Sequence, residues 1–529
     1  MVATLLDHLD ERAPAVTAPG RQPLDYRGLL EAIDRVGAHL GSLGIGPGDA
    51  VALVAPNGPE ALVVTLGVAA AAAVAPLNPA LTAAECRFLL HDLSARALIV
   101  VGDGGPRAEE AARESGIPIV VATADPAGPA GAFDLRQGAG QPPPPAPSRV
   151  RHPSVALLLH TSGTTARPKL VGLRREALVL SARSIARGLS LGPDDVCLNV
   201  MPLFHVHGLV GAALASLSAG AAVCCTAGLN PLRFARWLAD VDPTWYTAVP
   251  SMHQAVAARA GGLRSERAGR PRLRFVRSCS SPLPAAVRDA LTACFEVPVV
   301  NAYGMTEAAH QVSSTPVASM PTKPPGPTSR SVEPGFGPAR DRASRSTGTS
   351  ACSVGFSSGP EVRVLDAGGS PLPPGMPGEI ALRGDTVVAA YEQPAEANLT
   401  SFRDGWLRTG DQGTIDARGE ITLTGRLKEL INVSGEKVSP YEVEDALLSH
   451  PSVAEAVCFA IPSPSRGEMV GAAVVLVAGA AADERSLRRY LAGRLAPCKL
   501  PQRVLTLAAL PKGPTGKLQR LGLAARLGL

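Results

Sequence analysis

Leu29, Leu30, Ile33, Val36, Leu40 and Leu43 recur three and four positions apart, which predicts an amphipathic helix from Tyr26 to Leu43. Unbroken apolar runs follow at Val51–Val54, Ala97–Val101 and Ile117–Val121. Runs of that length between helical stretches predict buried strands of a parallel α/β architecture. From Ala61 to Leu77 the chain is apolar except for Thr65 and Gly67, and its length reaches the lower edge of a membrane span. Five of its residues are consecutive alanines, and Pro76 and Pro79 close it, so it predicts a buried helix followed by a strand. The Pro-rich stretch Gln141–Pro147 reads as an extended connector. Beyond it, Arg174–Leu189 predicts a helix, and Val196–Met201, Leu273–Val276 and Glu361–Leu365 predict strands, the last opening a series of short strands to Gly384. Pro440–Leu448 predicts a helix whose acids Glu442, Glu444 and Asp445 suit the positive end of its dipole. Val453–Ile461 and Val470–Val477 predict two more strands.

At 529 residues the chain exceeds what one core normally supports, so two or more domains are expected. With 46% apolar and 18% charged residues it is a globular chain, with no room for wholesale disorder. A net charge of +5 is mild for this length and no Lys/Arg block stands out, so no nucleic-acid partner is expected, while anionic ligands suit the surface. Nine cysteines without C-x-x-C spacing read as buried reduced thiols of a cytoplasmic protein. Met1–Asp10 carries acids in place of a basic leader, so no signal peptide is expected, and Arg526–Leu529 does not match the peroxisomal Ser-Lys-Leu address.

Chemistry enters at His160-Thr161-Ser162-Gly163-Thr164-Thr165-Ala166-Arg167-Pro168-Lys169, a hydroxyl- and glycine-rich loop directly after the apolar run Val155–Leu159. Small residues that expose backbone N–H groups, several hydroxyls and a terminal lysine suit a polyphosphate. The loop is not a Walker loop, because its lysine follows a proline and no Gly-Lys-Ser/Thr triplet opens a helix. Further along stand Leu203–Gly208, Arg277–Pro284, Tyr303-Gly304-Met305-Thr306-Glu307, Thr409-Gly410-Asp411, Gly425–Lys437 and Pro511–Lys517.

In order and spacing these motifs resemble the adenylate-forming (AMP-binding) superfamily of acyl-CoA synthetases over nearly the whole chain. Ser278-Cys279-Ser280-Ser281 together with Thr306–Gln311 is most similar to the oxalate-CoA ligase branch. The resemblance implies a large multi-subdomain α/β N-terminal domain of mixed and parallel sheets over residues 1–424. A hinge at 425–428 and a small mobile α+β C-terminal domain at 429–529 complete it. It further implies an enzyme that uses ATP and Mg²⁺ to convert a carboxylic acid to acyl-AMP and pyrophosphate, then transfers the acyl group to CoA.

By the same resemblance Thr161, Ser162, Gly163, Thr164, Thr165 and Lys169 hold the β- and γ-phosphates. Ser281 lies on the loop beside adenine, Tyr303 and Gly304 meet the base, Thr306 the α-phosphate and Asp411 the ribose hydroxyls; Arg426 and Lys437 join the nucleotide site. Glu307 takes Mg²⁺, and Lys517 bridges carboxylate and α-phosphate. His205 lies beside the acyl pocket, where Ser280 and His310 are candidate donors to the second charge of a short dicarboxylate. Lys428 is the hinge residue, and Ser434 and Gly435 approach CoA after the rotation. Read from the residues alone, Ser280 is equally a capped loop and His310 a solvated helix start, whereas an amphipathic helix over Gly425–Lys437 does not account for its glycines.

Two departures qualify the match. Residues 321–351, rich in Pro, Ser, Thr, Gly and Arg, read as a disordered insertion. Ala166 stands where relatives carry glycine, at an expected cost of about 1 kcal/mol where positive φ is required. The alternatives are an acyl-AMP ligase that serves a non-CoA acceptor and a non-catalytic nucleotide-binding protein. The acid itself is open between oxalate, another short acid and a fatty acid.

Overall fold

In the computed structural model the described residues are 10–529 apart from 139, 148, 150, 162–167, 260–271, 318–352, 464–465 and 513–517. The expected insertion, Ser162 to Thr165 and Lys517 therefore lie outside the described residues.

The predicted first helix forms over Tyr26–Ser42, burying Leu29, Ile33, Val36 and Leu40 on one face. Asp25 caps it, accepting from the Gly28 amide at 2.8 Å. It packs against the helix Pro59–Ala71, which is buried from Pro59 to Ala69 and runs into the strand Ala73–Leu77 as the apolar pattern predicts. Among the described residues no helix is long and apolar enough to cross a membrane.

A seven-stranded sheet runs, edge to edge, Phe133–Gln137, Ile119–Ala124, Ala95–Val101, Ala50–Val54, Ala73–Leu77, Val155–Thr161 and Lys169–Arg174. Its inner strands are parallel and its two edge strands antiparallel. Strand ends follow pairing more closely than they follow apolar runs. The expected Ile117–Val121 forms as Ile119–Ala124 because pairing with Phe133–Gln137 extends through Ala124. Likewise Leu273–Val276 forms as Phe275–Ser278, in register with Trp245–Ala248, and Val196–Met201 ends at Asn199.

The largest sheet is composite. Val299–Met305, Phe275–Ser278, Trp245–Ala248, Val196–Asn199, Ala222–Cys225 and Pro14–Thr17 are successive parallel neighbours. On the other side of Val299–Met305 the pairing turns antiparallel, through His310–Ser314, Ser353–Ser357, Glu420–Arg426, Trp406–Ile415, Gly378–Arg383 and Glu361–Leu365. Val299–Met305 is the boundary strand. Ligand sites of open α/β sheets lie beyond the carboxyl ends of the strands, where the order changes.

A third sheet, near the C-terminus, joins Glu436–Val438, Ile431–Val433, Gly467–Leu476, Val453–Ser463 and Arg503–Thr506 around its own apolar core. Gly425–Lys437, whose glycines speak against a helix at the sequence level, forms strand ends and a hairpin. The helix Pro440–Leu448 forms as predicted with Glu442 in its first turn, and its acids also find partners: Glu442 pairs with Lys499, Glu444 with Arg520, and Asp445 Oδ1 accepts from the Ala285 amide at 3.0 Å, at the start of the helix Ala285–Phe295. Seven of the eight described cysteines are buried free thiols, with Cys498 partly exposed.

Candidate active site

Thr247 and Arg277 sit next to each other in register on neighbouring parallel strands, and His310 opens the first antiparallel strand beyond the boundary. Chain reversal at that point is tight. Ala309 and His310 have φ of 49° and 94°, and Ser280 has 74°, a left-handed region that costs non-glycine residues free energy and clusters at functional sites. Neighbouring glycines make room: a Cβ on Gly304 would come within 1.9 Å of the His310 carbonyl, and one on Gly211 within 2.3 Å of His310 Nε2.

The result is a buried polar cluster. The rings of His207 and His310 stack with centroids 5.3 Å apart. Ser280 Oγ lies 3.0 Å from His207 Nδ1, and Thr247 Oγ1 2.6 Å from His207 Nε2. Behind the rings, Arg277 donates to His310 Nε2 at 3.0 Å and to Gln311 Oε1 at 2.9 Å. Gln311 is held in turn by Ser358 Oγ at 2.8 Å. His310 is thus a buried strand residue, which replaces the open reading of a solvated helix start.

A second group forms where the segment at 391–393 zips onto the strand that begins at Lys169. Leu170 N donates to the Gln393 carbonyl at 2.7 Å and Glu392 N to the Leu170 carbonyl at 2.8 Å. Asn398 clamps Tyr391 from both sides, accepting from its amide at 2.7 Å and donating to its carbonyl at 3.1 Å. Tyr391 so held donates its hydroxyl to Glu307 Oε1 at 3.0 Å and accepts from Lys169 Nζ at 3.2 Å. Lys169 Nζ also donates to Ser401 Oγ at 3.2 Å and lies 4.3 Å from the Tyr391 ring centroid. Burial pulls the Lys169 ammonium below its ordinary value, Lys428 and Arg426 act the same way, and Glu307 opposes them. Burial, then Glu307, pushes the Tyr391 phenol up, so it remains a donor.

The third group gathers on Asp411. Tyr303 donates to its Oδ2 at 2.6 Å and Arg426 Nε to its Oδ1 at 2.7 Å. Attraction to Asp411 raises Arg426 above its ordinary value against the cost of burial. Beyond Lys428, Glu429 accepts from Arg520 at 3.2 Å and from Tyr441 at 3.3 Å, while Arg520 also donates to both oxygens of the buried Glu444 at 3.0 and 2.8 Å. Arg520 thereby ties the chain just after position 517 to the segment just after position 428.

Several sequence-predicted residues come together: Lys169 with Glu307, Tyr303 with Asp411 and Arg426, and Ser280 with the His310 cluster. Thr161 pairs directly with Lys169 across the base of the predicted phosphate loop. Thr306 opens the short turn that carries Glu307, and Ser281 Oγ donates to the Ser280 carbonyl at 2.9 Å. Ser434, Gly435 and Lys437 are exposed on the hairpin of the C-terminal sheet, and among the described residues they share no hydrogen bond or ion pair with the Asp411 group. His205 packs half-buried on Phe204, and it is His207, two residues on, that reaches Ser280. Sequence reasoning passed over His207, Arg277 and Tyr391. The first two stood inside quoted motifs; Tyr391 is marked only by a tyrosine three residues before Pro394.

Comparison with known proteins shows what the chain as a whole is similar to. The family model described as AMP-binding enzyme matches residues 8–392, and that described as AMP-binding enzyme C-terminal domain matches residues 442–517. An oxalate–CoA ligase of Arabidopsis thaliana is 38% identical over 528 residues, covering 98% of this chain and 96% of its own length. A sulfoacetate–CoA ligase of Cupriavidus necator is 34% identical over 504 residues, covering 94% and 92%. The crystal structure of ATP-bound MatB from Rhodopseudomonas palustris aligns with a TM-score of 0.81 at 28% identity, over 99% of this chain and 98% of that one. With family models on both parts of the chain and relatives of this identity along almost all of it, the chain belongs to the AMP-binding enzyme family, as an acyl-CoA ligase of the adenylate-forming kind.

Proposed function

We propose that this ligase activates a short acid with two negative groups, oxalate foremost, by way of an acyl-AMP, and passes the acyl group to CoA. The observation that carries the reading is the buried polar cluster of His207, Ser280 and His310 at the carboxyl ends of the parallel strands. Imidazole and hydroxyl donors suit a second anionic group and are wasted on a fatty chain. Two of the relatives named above are ligases for oxalate and for sulfoacetate, both acids with two anionic groups.

In adenylation two anions must meet, so the protein's task is to hold them in line and offset their charge. Lys169, poised between Tyr391 and Ser401, is the cation for the outer phosphates, together with the hydroxyls of 161–165. Asp411, oriented by Tyr303 and Arg426, keeps lone pairs for a ribose diol. Glu307 fits Mg²⁺: it is a buried carboxylate, a hard oxygen donor, and a cation held mainly by substrate phosphates and water asks for one or two such groups. When bound, the ion supplies charge neutralisation at the phosphates. Lys517 contributes the bridging ammonium during adenylation. Rotation at 425–428 withdraws it and brings Ser434 and Gly435 toward CoA.

The test is incubation with ATP, Mg²⁺ and CoA against acids from oxalate to long-chain fatty acids, with thioesters read by mass spectrometry. Oxalyl-CoA or another short two-anion thioester is expected. Fatty acyl-CoA alone overturns the substrate reading; acyl-AMP without thioester points to a non-CoA acceptor; and ATP binding without pyrophosphate release points to a non-catalytic protein.

A further inference from the structure

Arg277 is fully buried, yet among the described residues its side chain's hydrogen-bond partners are all neutral: His310, Gln311 and, at 3.5 Å, Thr247. Its Nε is buried without a hydrogen-bond partner among the described residues, and none of them forms an ion pair with it. The buried Arg151 differs, since it has Glu392, and so does the half-buried Arg520, which has Glu444 and Glu429. A buried cation without a counter-anion is costly, and a guanidinium does not escape that cost by losing its proton.

The same bond settles the state of His310. Arg277 has no acceptor, so His310 Nε2 must accept, and the ring carries its proton on Nδ1. The ring stacks on His207, the partner of Ser280. Positive charge therefore lies directly behind the cluster assigned above to the second anionic group.

We propose that Arg277 is a specificity-determining positioning residue, which fixes His310 and supplies, through it, the counter-charge for the second anionic group of the acid. The proposal rests on the two-anion reading of the preceding section.

Gln311→Glu tests it without removing Arg277. A glutamate keeps the acceptor toward the guanidinium, Ser358 turns its hydroxyl to donate, and the buried charge is neutralised in place. KM for oxalate is expected to rise roughly 10- to 100-fold, while KM for ATP and the inhibition constant of glycolate, a single-anion competitor, stay within about threefold. Arg277→Met is expected to lose the same selectivity and Arg277→Lys to keep more of it; if Arg277→Met does not fold, Gln311→Glu decides alone. An unchanged oxalate-to-glycolate ratio in Gln311→Glu overturns this proposal and leaves the two-anion reading standing. A wild-type protein that forms no two-anion thioester overturns both.

Discussion

Tyr391 carries one hydroxyl between a carboxylate and an ammonium, and that hydroxyl sets the spacing of Glu307 and Lys169. Phenylalanine at 391 keeps the edge contact with Phe402, centroids 5.3 Å apart, and the ring beneath Lys169. It removes the bridge alone, so Tyr391→Phe is expected to fold normally and to lower kcat/KM for ATP by about 10- to 100-fold, as losing a hydrogen bond between charged groups does. Steady-state kinetics with ATP varied at saturating acid checks this; unchanged kinetics would mean that Lys169 and Glu307 are positioned by Ser401 and the backbone alone. At this scale the sequence was readable where candidate residues stand as a run of neighbours, as in Tyr303–Glu307, whose ends the fold places on Asp411 and Tyr391. It was not readable where a residue gains meaning from a distant partner. Nothing local separates His207 from His205, since only folding brings Ser280 and Thr247 to one of them. Arg277 was read only as the first residue of the loop after Leu273–Val276, and its meaning comes from partners that, among the described residues, include no carboxylate.

Elements of this fold are clipped together by polar contacts as well as by apolar faces, and one clip senses pH. The helix Pro250–Ala257 is pinned to the large sheet by His253, whose Nε2 donates to the Arg277 carbonyl at 3.1 Å while Nδ1 accepts from Tyr246 at 3.1 Å. Burial lowers the His253 pKa from 6.5 to about 4, because the charged form would lose water without gaining an anion. As pH falls below 6.5 the unfolded chain takes up a proton that the folded chain refuses until about pH 4. Stability present above that window is lost on descending through it, by at most about 3 kcal/mol. Urea unfolding at pH 7.5 and 4.5 should show a steeper loss for the wild type than for His253→Gln; equal losses would remove His253 from the acid sensitivity. The elements read from apolar periodicity are present, since it reports burial directly, but helices such as Ala83–Asp92 and Ala285–Phe295 and strands such as Trp245–Ala248 were not foreseen. The ends of the foreseen elements were off by up to three residues because pairing sets them, as at Ile119–Ala124.

At the scale of the whole molecule a division into a large and a small part was legible from the chain's length and from the family resemblance. The composite sheet was not, since its neighbours come from Leu24–Asp25 through Glu420–Arg426 and no local pattern encodes such pairings. Among the described residues, hydrogen bonds that join the large part to the small one include Gln254 Nε2 to the Ala454 carbonyl at 2.8 Å, the Ala285 amide to Asp445, and the Ser439 hydroxyl to the Thr424 carbonyl. Lys428 stands in the turn between Glu420–Arg426 and Ile431–Val433, where Glu429 N and Leu430 N both donate to the Arg426 carbonyl. Proline at 428 would fix φ near −65° and restrict Leu427 as well. If rotation here separates adenylation from thioester formation, one frozen arrangement serves one step and obstructs the other. Lys428→Pro is therefore expected to shift the ratio of the two half-reaction rates by about 100-fold or more, read as pyrophosphate exchange for the first and CoA consumption of supplied acyl-AMP for the second. Parallel changes in both rates would remove position 428 as the pivot, and would leave Arg520, which ties Glu429 to the chain beyond 517, as a brace within a part that moves about some other point.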